Sequence, residues 1–150
     1  MQQVEELQMG TSSATTVNAR LTGRWNGAEV IFDCDFDPPW NGSKKGNVQL
    51  PPDTGRHDFK FHLIDPDHID LQFVTGSSVL DANETGTCPA PFSGVTTNQI
   101  VDVSSNGQLA KFSDLNDGAK REIGYGLNLT SKYGACPFDP VISNGGGGND

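Results

Sequence analysis

Residues 58–73 have the sequence DFKFHLIDPDHIDLQF, in which apolar and polar side chains alternate on both sides of a proline-containing turn. The apolar positions are Phe59, Phe61 and Leu63 before the turn and Ile69, Leu71 and Phe73 after it. A two-residue period is typical of a β-strand with one buried face. The turn Asp65-Pro66-Asp67-His68 has proline at the favoured second position of a β-turn. These residues therefore predict two antiparallel strands joined as a hairpin, with their large side chains in a common core.

The same alternation recurs along the chain between turn sequences. Further strands are predicted at 17–21 and 28–32 around Asn26-Gly27, at 100–103 and 109–112 around Asn106-Gly107, at 123–129 and at 140–142. The segments 48–50 and 78–80 are at most short edge strands. Asn-Gly favours tight hairpins because both residues tolerate positive φ. Parallel pairing is not expected, since it needs long crossover connections. Seven or eight short strands without a helical period predict an all-β, antiparallel two-sheet β-sandwich of the immunoglobulin-like kind, with long loops.

The length of 150 residues predicts one folded domain. Residues 1–13 are mostly polar and are expected to form a loose leader. The sandwich domain is assigned to residues 14–143. Residues 144–150 contain four consecutive glycines and are expected to be a disordered tail, because they lack side chains that could anchor them.

The charge balance restricts the classes of partner. The chain has 10 Lys and Arg against 19 Asp and Glu, which gives a net charge of -9. Such a charge opposes binding to phosphate backbones and anionic lipid, so neither nucleic acid nor a membrane is expected as a partner. The first ten residues, MQQVEELQMG, lack the basic and apolar regions of a secretory signal. A cytoplasmic location is therefore expected.

The end of the chain contains a recognisable pattern, YGLNL at 125–129 followed by FDPVISNG at 138–145. Earlier segments that fit the same pattern are FHLID at 61–65, DLQF at 70–73 and Cys88-Pro89. The chain thus resembles the small bacterial β-sandwich proteins called the DP-EP family, in which a tyrosine-bearing strand leads to a terminal Asp-Pro-hydrophobic strand and an Asn-Gly end. The resemblance implies a bacterial β-sandwich. It implies no activity, because that family has no established catalytic residues to carry over.

Two groups of side chains are candidate metal ligands. The first group comprises His57, His62, Asp65, Asp67, His68 and Asp70. Carboxylates and imidazoles are common ligands of divalent cations, so this region is a candidate cation site. Alternatively, Asp and Pro are ordinary turn residues, and His62 and His68 point into water. The second group, Asp33, Asp35 and Asp37, shares one face of a strand and is either a hard-cation site or a solvated strand end.

Aromatic residues and cysteines supply the remaining candidates. Trp25, Trp40 and Tyr133 lie in or beside predicted loops, where they either contact a partner protein or a carbohydrate, or cap the ends of the core. Cys88 and Cys136 share a Gly-x-Cys-Pro context and are disulfide candidates in an oxidising compartment. In a reducing compartment, the cysteines are expected to be small buried thiols.

No nucleophile motif of the Gly-x-Ser-x-Gly type and no phosphate-binding glycine loop occurs in the sequence. The sequence therefore favours a non-catalytic binding or structural module without a cofactor. Such a module acts through contacts with a protein partner or through self-association, for instance as a symmetric homodimer paired at strand edges. One alternative is a divalent-metal protein or metal-dependent enzyme that uses the Asp65 to Asp70 turn. A second alternative is an acidic decoy of a DNA-binding protein.

Overall fold

The computed structural model of the protein describes residues 14–37, 43–51, 53–85, 89–118, 121–138 and 140–144. In these ranges the chain forms twelve β-strands and one short 3₁₀ helix, Gly76–Val79. The strands are β1 (Thr15–Trp25), β2 (Val30–Asp37), β3 (Val48–Leu50), β4 (His57–Ile64), β5 (Gln72–Phe73), β6 (Leu80–Asn83), β7 (Ile100–Ser105), β8 (Leu109–Asp114), β9 (Arg121–Leu127), β10 (Leu129–Ser131), β11 (Gly134–Ala135) and β12 (Val141–Asn144).

The strands form three sheets. The largest has five strands in the order β2-β1-β4-β8-β7, the second has four in the order β3-β12-β9-β6, and the third has three in the order β11-β10-β5. Rings from the first two sheets meet in the core, where Tyr125 on β9 lies 6.0 Å from Phe61 and 5.6 Å from Phe112, measured between ring centroids. The predicted all-β sandwich fold is confirmed.

The predicted core residues are buried. The rings of Phe59, Phe61, Phe73 and Tyr125 are at most 1% exposed. Removing a side chain of this size from water stabilises the fold by roughly 1.5–3 kcal/mol. The alternating strands β1 and β4 place their apolar residues on one buried face, because neighbouring side chains on a strand point to opposite sides.

Two of the predicted hairpins are present. β1 pairs with β2 antiparallel across the Asn26-Gly27 turn, and β7 pairs with β8 across Asn106-Gly107. The Asn26 carboxamide oxygen accepts hydrogen bonds from the backbone N–H groups of Ala28 and Glu29 at 2.9 and 2.8 Å. The side chain thus holds the turn closed, as expected for asparagine in this position.

The predicted hairpin between β4 and β5 is wrong, although the buried faces of both strands were identified correctly. β4 lies between β1 and β8, whereas β5 pairs with β10 in the three-stranded sheet. The Asp65 carboxylate accepts the backbone N–H groups of Ile69 and Leu71 at 3.0 and 3.1 Å. His68 and Asp70 have left-handed φ values of 53° and 57°. This turn redirects the chain, so that β5 leaves the plane of β4.

The sheets are not purely antiparallel. β1 pairs with β4 and β3 pairs with β12 in parallel, contrary to expectation. Parallel pairing needs a long connection, and here β2 and β3 supply it between β1 and β4. The strand count also exceeds the predicted seven or eight, because strands of two or three residues are too short for a two-residue period to be recognised. The predicted edge strand at 78–80 is instead the end of the 3₁₀ helix followed by β6.

The predicted leader at 1–13 lies outside the described residues, as do residues 145–150 of the predicted tail. Asn144, which was assigned to that tail, is the last residue of β12 and is in register with Arg121 and Leu50. Within the described ranges, no helix has the length and apolar character needed to span a lipid bilayer.

Candidate functional site

The two β4 histidines of the predicted metal site lie far apart and have different surroundings. His57 is buried, and its Nδ1 lies 2.7 Å from the backbone oxygen of Gly55. His62 is five residues further along the strand, about 16 Å away at the usual rise per residue. Its ring is exposed on the other face, with Nε2 at 3.3 Å from the side-chain oxygen of Asn18. One ion cannot contact both rings.

The carboxylates of the Asp65 to Asp70 turn also have other contacts. Asp65 holds the turn through the two backbone bonds described above, and Asp67 forms an ion pair with Arg24 at 3.2 Å. His68 and Asp70 are exposed. No three His, Cys, Asp or Glu side chains in the described part of the chain are placed to hold a metal ion. The structure therefore does not bring the six predicted ligands together.

The acidic row on β2 does not form a metal site either. Asp33, Asp35 and Asp37 share the outer face of β2, as the alternation predicts. Asp35 forms a salt bridge with Lys44, and the hydrogen bond from this lysine holds the pKa of the Asp35 carboxyl below its usual value. This part of β2 is a solvated strand end.

The two described cysteines are buried thiols. Burial and, to a smaller extent, the negative charge of Asp35 raise the pKa of the Cys34 thiol to about 12. Burial also raises the pKa of Cys136, which is a free thiol in the structure. Both groups therefore contain little of the reactive thiolate at neutral pH. Cys88 lies outside the described residues, so its disulfide with Cys136 stays a prediction for an oxidising compartment.

Two of the three predicted contact aromatics are stacked on each other. The rings of Trp25 and Tyr133 have centroids 3.9 Å apart and planes inclined by 10°. Trp25 is the last residue of β1, and Tyr133 lies in the turn between β10 and β11. Tyr133 is 48% exposed, and the Lys132 ammonium lies 5.5 Å from the centroid of its ring. The predicted third member, Trp40, lies outside the described residues.

A groove of about 300 Å³ runs beside this aromatic pair. Its walls are the Trp25 and Tyr133 rings, residues 28–30 at the start of β2, and residues 134–137 around β11. We call it the aromatic groove. β2 and β11 are the outermost strands of their sheets, and Gly134 and Ala135 are exposed. The groove thus combines aromatic side chains with the edges of two sheets.

Phe92 is a further exposed aromatic residue, and the sequence analysis did not identify it as a candidate. It is 61% exposed and has a left-handed φ of 61°. The buried carboxylate of Asp81 accepts the backbone N–H groups of Phe92 and Gly94 at 2.9 and 2.7 Å. A depression of about 380 Å³ lies beside the ring and includes Val95 in its lining. The only sequence signal was the turn-rich segment around Phe92, which does not indicate exposure of the ring.

Comparison with known proteins adds little to this geometry. No protein-family model matches the chain, and no curated protein matches it. Among solved structures, the chain is similar to the inclusion body protein PixA of Burkholderia cenocepacia, with 9% sequence identity and a TM-score of 0.38. The match covers 88% of this chain and 97% of that chain. At this identity and TM-score the likeness carries no functional argument.

Proposed function

We propose that this protein is a non-catalytic binding module whose aromatic groove holds an extended segment of a partner protein. The observation that carries the proposal is the stacking of Trp25 on Tyr133 at 3.9 Å, from opposite ends of the chain, with Tyr133 half exposed. Tryptophan and tyrosine dominate the binding energy of protein interfaces, because a rigid flat ring buries a large area at a small entropic cost. Stacking also fixes both rings before a partner arrives.

The groove favours a polypeptide as the occupant because of its main-chain edges. Among the described strands, β11 has a neighbour on one side only, and its two residues are exposed. An extended segment that enters a groove beside an edge strand gains main-chain hydrogen bonds there, and its side chains contact the adjacent rings. Peptide recognition by strand addition uses this combination of features.

Electrostatic repulsion opposes a second copy of the chain as the partner at β2. Each copy has a net charge of -9. If two β2 strands paired edge to edge, Asp33 and Asp37 would come close to the same residues of the other copy, whereas Asp35 is neutralised by Lys44. Like charges opposite each other destabilise a strand pair, and charged edge strands are a common protection against self-pairing. A different protein is the better candidate.

The test compares matched truncations of exposed aromatic residues. Wild type, Tyr133→Ala and Phe92→Ala are used as bait, the captured protein is identified by mass spectrometry, and its affinity is then measured with purified components. Truncation of an interface tyrosine at the centre of a contact weakens binding by about 2 kcal/mol, or roughly 30-fold. We expect this loss for Tyr133→Ala and near wild-type affinity for Phe92→Ala.

The melting temperature of each variant controls for unfolding, since Tyr133 also packs on Trp25. Equal affinity of Tyr133→Ala and wild type for the partner would contradict the proposal. Equal loss in both variants would also contradict it, because Phe92 is not part of the aromatic groove.

A further inference from the structure

The outer face of the five-stranded sheet contains basic side chains in adjacent register positions. Lys60 on β4 is directly opposite Lys111 on β8, and Lys111 is in register with Ser104 on β7. One step along the sheet, Arg20 on β1 is in register with His62 on β4. The protein as a whole has nearly twice as many acidic as basic residues. The lysine pair is therefore a departure from the average surface, whereas Arg20 is in register with an acidic residue, Asp35 on β2.

The positive charge of Lys60 helps to lower the pKa of the nearby Asp58 carboxyl, but neither lysine forms a direct ion pair with that group. Within the described part of the chain, neither ammonium group has a hydrogen-bond or ion-pair partner. The nearby carboxylate of Asp58 accepts hydrogen bonds from Arg56 Nε at 2.8 Å and from Ser113 Oγ at 2.6 Å, both at its Oδ1 atom. Like charges directly opposite each other in an antiparallel pair destabilise that pair. The pairing of Lys60 with Lys111 thus costs stability in the absence of an anion.

A depression of about 280 Å³ lies over these groups. Its lining includes both lysines, Arg56, and the hydroxyl residues Ser104 and Ser113. Arg56 is held in place by Asp58 and by Asp102, whose Oδ2 accepts Arg56 Nη2 at 2.6 Å. Counting all five charged residues of the lining leaves an excess of positive charge, three cations against two carboxylates. The depression therefore has the donors and the charge that an anion needs.

We propose that Lys60 and Lys111, together with Ser104, bind a small tetrahedral oxyanion of the phosphate or sulfate class. An oxyanion between the two ammonium groups replaces their repulsion by two charge-assisted hydrogen bonds, which are about twice as strong as neutral ones. Lysine binds phosphate as a point charge and does not require the planar geometry that arginine requires. The Ser104 hydroxyl supplies a further donor. This site lies on a different surface from the aromatic groove and does not depend on the function proposed for the groove.

The test measures thermal unfolding in sodium phosphate, sodium sulfate and a phosphate monoester, each against sodium chloride of equal ionic strength. A ligand that binds only the folded state raises the melting temperature by mass action. Phosphate and sulfate stabilise folded proteins in general, because they are excluded from protein surfaces. We therefore expect a larger rise in wild type than in the Lys60→Gln/Lys111→Gln double variant. Lys45→Gln is the matched control, because Lys45 is an exposed lysine in the turn before β3, and it should respond as wild type does.

Comparison of the three anions shows whether the site binds a free oxyanion or the phosphate group of a larger molecule. Stabilisation by inorganic phosphate or sulfate supports a free oxyanion, and stabilisation that is stronger with the monoester supports a phosphorylated small molecule. An equal rise in wild type and in the double variant overturns the proposal, as does no rise in wild type with any of the three anions.

A second measurement tests the repulsion itself. In sodium chloride alone, Lys111→Gln should melt higher than wild type by about 1–3 °C, because the like-charge pair is removed. In phosphate this difference should vanish or reverse, since only wild type gains the anion. A Lys111→Gln variant that melts lower than wild type in sodium chloride contradicts the argument.

Discussion

Phe92 combines two features that individual residues rarely share. Its ring is mostly exposed, and its backbone has a left-handed φ of 61°. Left-handed backbone costs an ordinary residue roughly 1–2 kcal/mol, and bulky side chains are rare there. The conformation persists because the buried Asp81 carboxylate accepts the N–H groups of Phe92 and Gly94. Strain of this kind is tolerated where the surrounding structure determines the backbone.

We expect Phe92→Asn to be more stable than wild type by up to about 1 kcal/mol, because asparagine tolerates left-handed backbone and little ring burial is lost. Urea unfolding at neutral pH measures the difference. Phe92→Val is the matched control and should be less stable than Phe92→Asn, since a β-branched residue tolerates this φ least. A Phe92→Asn variant less stable than Phe92→Val contradicts the strain argument.

At the scale of elements, β9 is joined to the turn before β3 by one buried hydrogen bond. The Tyr125 hydroxyl donates to the backbone oxygen of Gly46 at 2.8 Å. Gly46 has a φ of 88°, and a Cβ added there would lie 2.3 Å from Cζ of Phe138. A glycine is therefore required at position 46, where the turn passes over the Phe138 ring. The Tyr125 hydroxyl in turn supplies a hydrogen-bond donor to the Gly46 carbonyl oxygen. Burial raises the pKa of the Tyr125 hydroxyl well above its usual value, so the group stays a donor.

Tyr125→Phe should lower the free energy of unfolding by about 1–3 kcal/mol, because the Gly46 carbonyl group loses its buried donor while the ring still fills the core. Chemical denaturation measures this change. Tyr133→Phe makes the same chemical change on an exposed ring and should be within about 0.5 kcal/mol of wild type. Similar effects of both substitutions would contradict a structural role for the Tyr125 hydroxyl.

At the scale of the whole molecule, polar contacts on the outer face join strands that are distant in sequence. Arg56 contacts Asp58 at the start of β4 and Asp102 on β7, and Ser113 on β8 donates to Asp58. Partial burial alone would raise the pKa of Asp58, but the hydrogen bonds from Ser113 and Arg56 outweigh it and hold the pKa below its usual value. The folded state therefore favours the charged carboxylate.

A carboxyl group whose pKa is depressed on folding contributes stability that is present above its unfolded pKa and is lost as the pH falls through its folded pKa. For Asp58 this loss begins as the pH drops below about 4. We expect the free energy of unfolding of wild type to fall more steeply than that of Asp58→Asn below this pH. Urea unfolding from pH 6 to pH 2 provides the comparison. Parallel curves for both proteins would contradict this assignment.

The candidate site was only partly accessible from sequence. Trp25 and Tyr133 were identified as contact aromatics because they stand beside turn residues, but their stacking joins β1 to the β10–β11 turn. The six predicted metal ligands are close in sequence yet separated in space, because His57 and His62 occupy opposite faces of one strand. Phe92 was missed because exposure of its ring depends on Asp81, eleven residues earlier.

Local alternation was sufficient to identify the all-β class, the main strands and the buried faces of β1 and β4, because a two-residue period records directly which side of a strand avoids water. The partner of each strand was decided only in the folded chain. The sequence predicts a hairpin of β4 with β5, yet β4 lies between β1 and β8. This pairing places Lys60 on β4 directly opposite Lys111 on β8. Periodicity is a property of single segments, whereas pairing minimises the free energy of all segments together.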